Sequence, residues 1–258
     1  MLLYLSVTAE NEVFARRHWR ELAHMNYRIG SDGHLVCCGR PKNGLMVLSD
    51  EGSPDFSDRK TAVSELLHEC RVGSFGGIVA DFEQPPTEDR FRFLRLLGDN
   101  LRYSGKRFFV PESYALCCKS GYVLFPTALS GGSYADRLKR SAKLIGAKRL
   151  VLDLQWLRMD FPLPCPSGEG TPLCGEELRR LMAEKKPEHF YSKPLAAEYF
   201  SYQSGQEHRF VLYDTPATLA EKLRFAASIG CETAFVMASE AENELGTLLQ
   251  LLKRQKLI

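Results

Sequence analysis

Short apolar runs alternate along this chain with longer segments in which apolar residues recur at helical spacing, from one end to the other. Leu2 to Val7 reads as a first strand, and Glu10 to Ala23 as a helix carrying Val13, Phe14, Trp19 and Leu22. Met25 to Cys38 contains a second strand broken by the turn signal Ser31 to His34. Leu45 to Leu48 is a third, followed by a helix from about Asp58 to Cys70. Gly77 to Phe82 is a buried strand, stopped by Pro85 and Pro86. The helix Thr87 to Tyr103 follows; Thr87 opens it, Glu88 and Asp89 complement its dipole, and Phe91, Phe93, Leu94, Leu96, Leu97 and Leu101 give it a broad apolar face.

The same alternation continues through the strands Lys106 to Tyr114 and Tyr122 to Leu129, a helix Ser133 to Leu144, and the strand Arg149 to Trp156. A Pro/Gly-rich loop, Phe161 to Pro172, precedes a short helix Glu176 to Lys185; an irregular stretch of that length is more often functional than accidental. The strand His208 to Asp214, the helix Pro216 to Ile229, the strand Glu232 to Ala238 and the helix Glu242 to Lys253 complete the pattern. Strand-helix alternation without a linker or a short-period repeat predicts a (β/α)8 TIM barrel, one domain over residues 1–258.

Composition narrows the function. A formal charge of +2 over 258 residues argues against nucleic acid or a membrane surface as partner, and no apolar run reaches the length of a membrane span. The first apolar stretch lacks a basic flank and reads as a strand, not a secretion signal. The eight cysteines include no Cys-x-x-Cys spacing, so a zinc site is not expected; they read as reduced thiols of a cytosolic protein, and no cofactor is implied.

Chemistry concentrates at strand ends. Asp81 and Glu83 are two apart and point to one side of their strand, while Phe82 points to the other. Like charges this close raise one pKa, which suits a general acid beside a charged stabiliser. A barrel carries its active site at the C-terminal strand ends, which here also offer Glu112 with Tyr114, Asp153 with Gln155, Tyr213 with Asp214, and Glu240. Trp156, Phe82, Tyr122 and Phe161 lie nearby. Acids with aromatic platforms suit a carbohydrate, whose hydroxyls meet carboxylates and whose C–H faces meet rings. Structural readings stand beside these: Asp153 and Gln155 as polar filling of the barrel, Asp214 as a helix cap ahead of Pro216, Asp81 and Glu83 as a solvated rim pair.

The segment GGIVADFE resembles the Asp-x-x-Asp-x-Asp-x-Glu signature on the fourth barrel strand of the chitinase-like glycoside hydrolases of family eighteen. Tyr213, Asp214, Thr218 and Lys222 are similar to a second stretch of that family before its last strand. The resemblance implies that Glu83 is the general acid and that Asp81 orients a substrate N-acetyl group whose own oxygen is the nucleophile. It implies an N-acetylglucosamine-containing glycan, chitin-like or peptidoglycan, as substrate. Gly76 and Val79 stand where the signature has its first two aspartates, and Gln155 where the sixth-strand motif has tyrosine. Phe235 or Met237 stands in place of the last-strand tryptophan. These departures leave a second reading open, a degenerate barrel that binds glycan or a protein without turnover.

Overall fold

Eight parallel strands close into a barrel in the computed structural model, which describes residues 1–241 and 244–258. They are β1 (Leu2–Val7), β2 (Leu22–Ile29), β3 (Leu45–Ser49), β4 (Gly77–Asp81), β5 (Arg107–Pro111), β6 (Tyr122–Pro126), β7 (Leu150–Leu154) and β8 (Thr233–Met237). The ring shuts where β1 pairs with β8 on one side and β2 on the other, Leu2 opposite Thr233 and Leu5 opposite Leu22. Each strand is apolar along most of its length because it is covered on both faces, by the barrel interior and by the outer shell. That shell includes α1 (Glu12–His18), α2 (Arg59–Val72), α3 (Glu88–Tyr103), α4 (Tyr134–Ile145), α6 (Pro216–Ser228) and α7 (Leu245–Arg254); α5 (Gly175–Lys185) lies elsewhere. This is the TIM-barrel topology that the alternating pattern predicts.

The barrel interior is filled by Tyr4, Phe109, Tyr122 and Phe235, with Val47, Val79 and Val151 among the aliphatic neighbours. Tyr4 stacks on Phe235 at 5.2 Å between centroids, Phe109 on Tyr122 at 5.0 Å, and Phe109 meets Phe235 edge-on at 5.3 Å. Four rings in contact fill the lower barrel and leave its upper end to hold a ligand.

Gly77 shows how tightly β4 is seated. It pairs with Arg107 of β5, and a Cβ on it would lie 2.2 Å from the Arg107 carbonyl oxygen. Gly77→Ala is therefore expected to force the strands apart at a cost of about 3 kcal/mol. The check is a lowered urea midpoint with an unchanged m-value.

Between β7 and α6 the chain leaves the barrel and builds a second, antiparallel sheet. Its strands are Arg158–Leu163, Thr171–Pro172, Phe190–Ser192, Ala197–Ser204 and Glu207–Tyr213. Helix α5 packs Leu178 against Phe200, Val211 and Tyr213 on one face of it. The segment His208 to Asp214, expected as a barrel strand, thus belongs to this sheet, where Tyr213 pairs with Glu198 and Arg158. An alternating sequence suits a half-covered antiparallel strand as well as a barrel strand, and periodicity alone does not separate them.

Other boundaries move for local reasons. The expected helix Glu10 to Ala23 ends at His18, because Leu22 and Ala23 are claimed by pairing with β1 and β3. The second expected strand, Met25 to Cys38, is a hairpin, β2 followed by an antiparallel return at Leu35–Cys37. Lys106 to Tyr114 is β5 followed by a 3-10 turn over Glu112–Cys117. The expected start of the last helix at Glu242 lies outside the described residues, and α7 runs from Leu245.

Candidate active site

The upper end of the barrel opens into a cleft of about 930 Å³. Its floor is set by strand register. Val47 is opposite Val79 and Ser49 opposite Asp81, so the interior face of β4 runs Gly77, Val79, Asp81 upward to the opening. Asp81 and Glu83 both line the cleft. Phe82 turns to the other side, buried against Phe56, Phe93 and Tyr114 at centroid distances of 5.8, 6.3 and 5.8 Å. That ring anchor holds the two acids on the cleft side. Asp81 is half-buried at the top of the strand, while Glu83 is exposed to whatever enters.

A third carboxylate arrives from across the barrel. Asp153 sits one pleat above Val151 on β7, opposite Phe235 of β8, and faces the same opening. The strand ends at Leu154, and Gln155 folds back so that its Nε2 donates to Asp153 Oδ2 at 2.7 Å. The seventh strand carries this pair, not the sixth that the resemblance suggested. Trp156 lines the cleft with its ring nearly buried and its Nε1 without a partner among the described residues, and the Arg158 guanidinium lies 5.2 Å from the ring centroid. Glu240, just past β8, accepts from the Trp156 backbone N–H at 3.3 Å, and its carbonyl accepts from Arg158 at 3.0 Å. Phe235 and Met237 line the floor where the resemblance calls for a tryptophan. Leu173, Cys174 and Arg179, from the start of α5 and the segment before it, form a wall supplied by the inserted sheet.

Crowding these acids in a partly dry site changes their chemistry. Burial, helped by the charges of Glu83 and Asp50, pushes the Asp81 carboxyl up to about 6. Burial and the charge of Asp81, opposed by the Gln155 hydrogen bond and aided by Glu240, push Asp153 up to about 7. Each group binds its proton more tightly in the folded chain than in the unfolded one. The stability they contribute is therefore full below about pH 4 and is lost as pH rises through these values. Asp153→Asn keeps the neutral state at every pH, so it should raise Tm relative to the parent more at pH 8 than at pH 4. Equal shifts at both would contradict the coupling.

Three expected site residues lie elsewhere. Asp214 is buried in an ion pair with Lys222, at 2.7 and 2.8 Å, and also accepts from Thr218 Oγ1 at 2.7 Å and the Leu157 N–H at 3.2 Å. It is not the helix cap either: Thr215 caps α6, one residue later, in a capping box with Thr218. Tyr213 reaches His189 Nδ1 at 2.8 Å beneath α5. Glu112 is held by Arg137 at 3.1 Å and Ser141 at 2.7 Å, on the outside of the barrel against α4. All three sit at strand ends in the sequence, but their partners turn them away from the opening.

Two participants had no sequence signal. Arg158 is reached only because the chain turns sharply after Trp156 into the second sheet. Asp50, one residue past β3 and almost wholly buried, accepts from the backbone N–H of Glu83 at 2.9 Å and of Gln84 at 3.3 Å, and from Arg90 Nε at 3.1 Å. Among the described residues no group of His, Cys, Asp or Glu is arranged to hold a metal ion.

No family model and no curated protein matches this sequence. Solved structures do. A chitinase from Chromobacterium violaceum superposes with a TM-score of 0.72 at 16% identity, over 97% of this chain and 98% of that one. The class V chitinase of Nicotiana tobaccum gives 0.71 at 12% identity, over 96% and 98%; a point mutant of it has been solved in complex with NAG4. The spore cortex-lytic enzyme SleL of Bacillus megaterium gives 0.66 at 16% identity, over 91% of this chain and 70% of that one. The chain has the fold of the chitinase-like glycoside hydrolases.

Proposed function

We propose that this chain is a glycoside hydrolase that cleaves β-linked N-acetylglucosamine-containing glycans, chitin-like or peptidoglycan, by substrate-assisted catalysis with retention at the anomeric carbon. The observation that carries the proposal is the joint emergence of Asp81 and Glu83 into an open cleft. Glu83, exposed and on a turn fixed by its own backbone, gives its proton to the glycosidic oxygen as the bond to the anomeric carbon breaks. The acetamido oxygen of the same sugar attacks that carbon, and the positive charge moves onto the acetamido group. Asp81 accepts from the acetamido N–H and offsets the charge. Water then adds to the anomeric carbon from the face the leaving group vacated, giving its proton to Glu83 and restoring the starting state. Trp156, Phe235 and Met237 supply apolar surface for the sugar, and Gln155 supplies a donor.

The test is incubation with the N-acetylglucosamine tetramer, products being identified by mass and the first-formed anomer by NMR. Shorter oligomers with β configuration are expected; the α anomer would exclude the acetamido route. A second reading, glycan binding without turnover, is favoured by Val79, which leaves no carboxylate below Asp81 on its own strand. Calorimetry separates the two, since heat of binding without product supports the second reading.

A further inference from the structure

We propose that Asp50 is the positioning residue for the acid at 83: it holds the turn that follows β4 by its backbone, so that the Glu83 side chain has one direction of approach. The inference rests on the hydrolase reading and concerns a residue outside the cleft lining. Beyond Asp81 the chain has left the sheet, and the N–H groups of Glu83 and Gln84 have no strand to pair with. Such groups need partners where water is scarce. Asp50 takes both, one on each carboxylate oxygen. Its side chain is 2% exposed, a burial that a carboxylate tolerates only when its charge and lone pairs are answered. Arg90 answers the charge at 3.1 Å from the first turns of α3, and stands over Phe56 at 5.9 Å from the ring centroid.

The turn is gripped from a third direction as well. Tyr114, wholly buried in the 3-10 turn after β5, donates its hydroxyl hydrogen to the Gln84 carbonyl at 2.9 Å. Donors and acceptor of one two-residue turn are thus fixed by elements following β3, β4 and β5. Misplacing a catalytic group by about 1 Å costs on the order of 100-fold in rate, and among the described residues Asp50 is the one hydrogen-bond partner of the Glu83 N–H.

The experiment compares the parent chain with Asp50→Asn and Asp50→Ala, reading kcat and KM on a chromogenic N,N'-diacetylchitobioside and amide exchange at residues 83 and 84. Asparagine keeps one acceptor oxygen and loses the other. The expected result is a graded fall in kcat, about 10-fold for D50N and about 100-fold for D50A, with KM within about twofold and fast exchange confined to the two amides. A residue that serves stability alone would lower Tm and leave kcat of the folded fraction unchanged, and that result overturns the proposal. If D50A does not fold, D50N decides by the same criteria. A parent chain that turns over no substrate overturns the hydrolase reading. Exchange then judges the hold on the turn by itself: faster exchange at 83 and 84 in D50N upholds it, and unchanged exchange removes it.

Discussion

Glu83→Gln is expected to lower kcat on N-acetylglucosamine oligomers by about 1,000-fold, within the range that a positioned general acid contributes. Binding of the tetramer should survive within a fewfold. The amide matches the acid in shape and occupies the same exposed place on the cleft wall, so contacts made in the ground state persist. What disappears is the proton for the departing oxygen, an interaction made only in the transition state, and its loss appears in kcat and not in KM. The fold needs no compensation, because the carboxylate of Glu83 is exposed and the turn is tied through its backbone N–H. Unchanged turnover in this variant would remove Glu83 from the mechanism; lost binding together with a lowered Tm would indicate a structural group.

Lys222→Met should be the most damaging single change away from the cleft. The Lys222 and Asp214 side chains are both 0% exposed, and the ammonium is further satisfied by the Thr127 carbonyl at 3.2 Å. Removing the lysine leaves a carboxylate without its counter-charge in a dry site, a loss of about 3–5 kcal/mol. The double variant Asp214→Leu with Lys222→Met discards the charge and the desolvation cost together, and it should recover much of that loss. Denaturant midpoints of both singles and the double complete the cycle. If the double is as unstable as either single, the pair is held by more than its charges. The location explains why the pair is worth its desolvation cost. Asp214 ties the end of the inserted sheet to the Leu157 N–H at its beginning, and Lys222 ties α6 to the loop after β6. The resemblance placed Tyr213, Asp214, Thr218 and Lys222 in one motif, and the structure gives three of the four a shared hydrogen-bonded network.

The barrel was legible in the sequence because its strands are short apolar runs between helices of clear period. The cleft side of β4 was legible because side chains alternate along a strand, which put Asp81 and Glu83 together and Phe82 apart. Legibility failed where identity depends on distant partners. Nothing near Glu112 in the chain announces Arg137 and Ser141, which draw it outward. Nothing in the sequence after Trp156 distinguishes an antiparallel excursion from the next barrel strand, so the pattern points Tyr213 and Asp214 to an opening they do not reach. Asp50 was silent for the opposite reason: a lone acid in a loop reads as solvated, and only the fold brings the amides of residues 83 and 84 to it. Asp153 was visible, yet the charge of Asp81 across the opening, which helps to raise it, spans far too much sequence to be read from spacing.

The stack of Tyr4, Phe109, Tyr122 and Phe235 closes the barrel beneath the acids. Under the proposed hydrolysis, leaving group and incoming nucleophile therefore share the upper opening. The reducing-end product must diffuse out through the mouth before anything can resolve the activated sugar, and the molecule that resolves it enters by the same route. On that proposal solvent and a second saccharide compete for one entrance, and at high oligomer concentration longer chains are expected among the products.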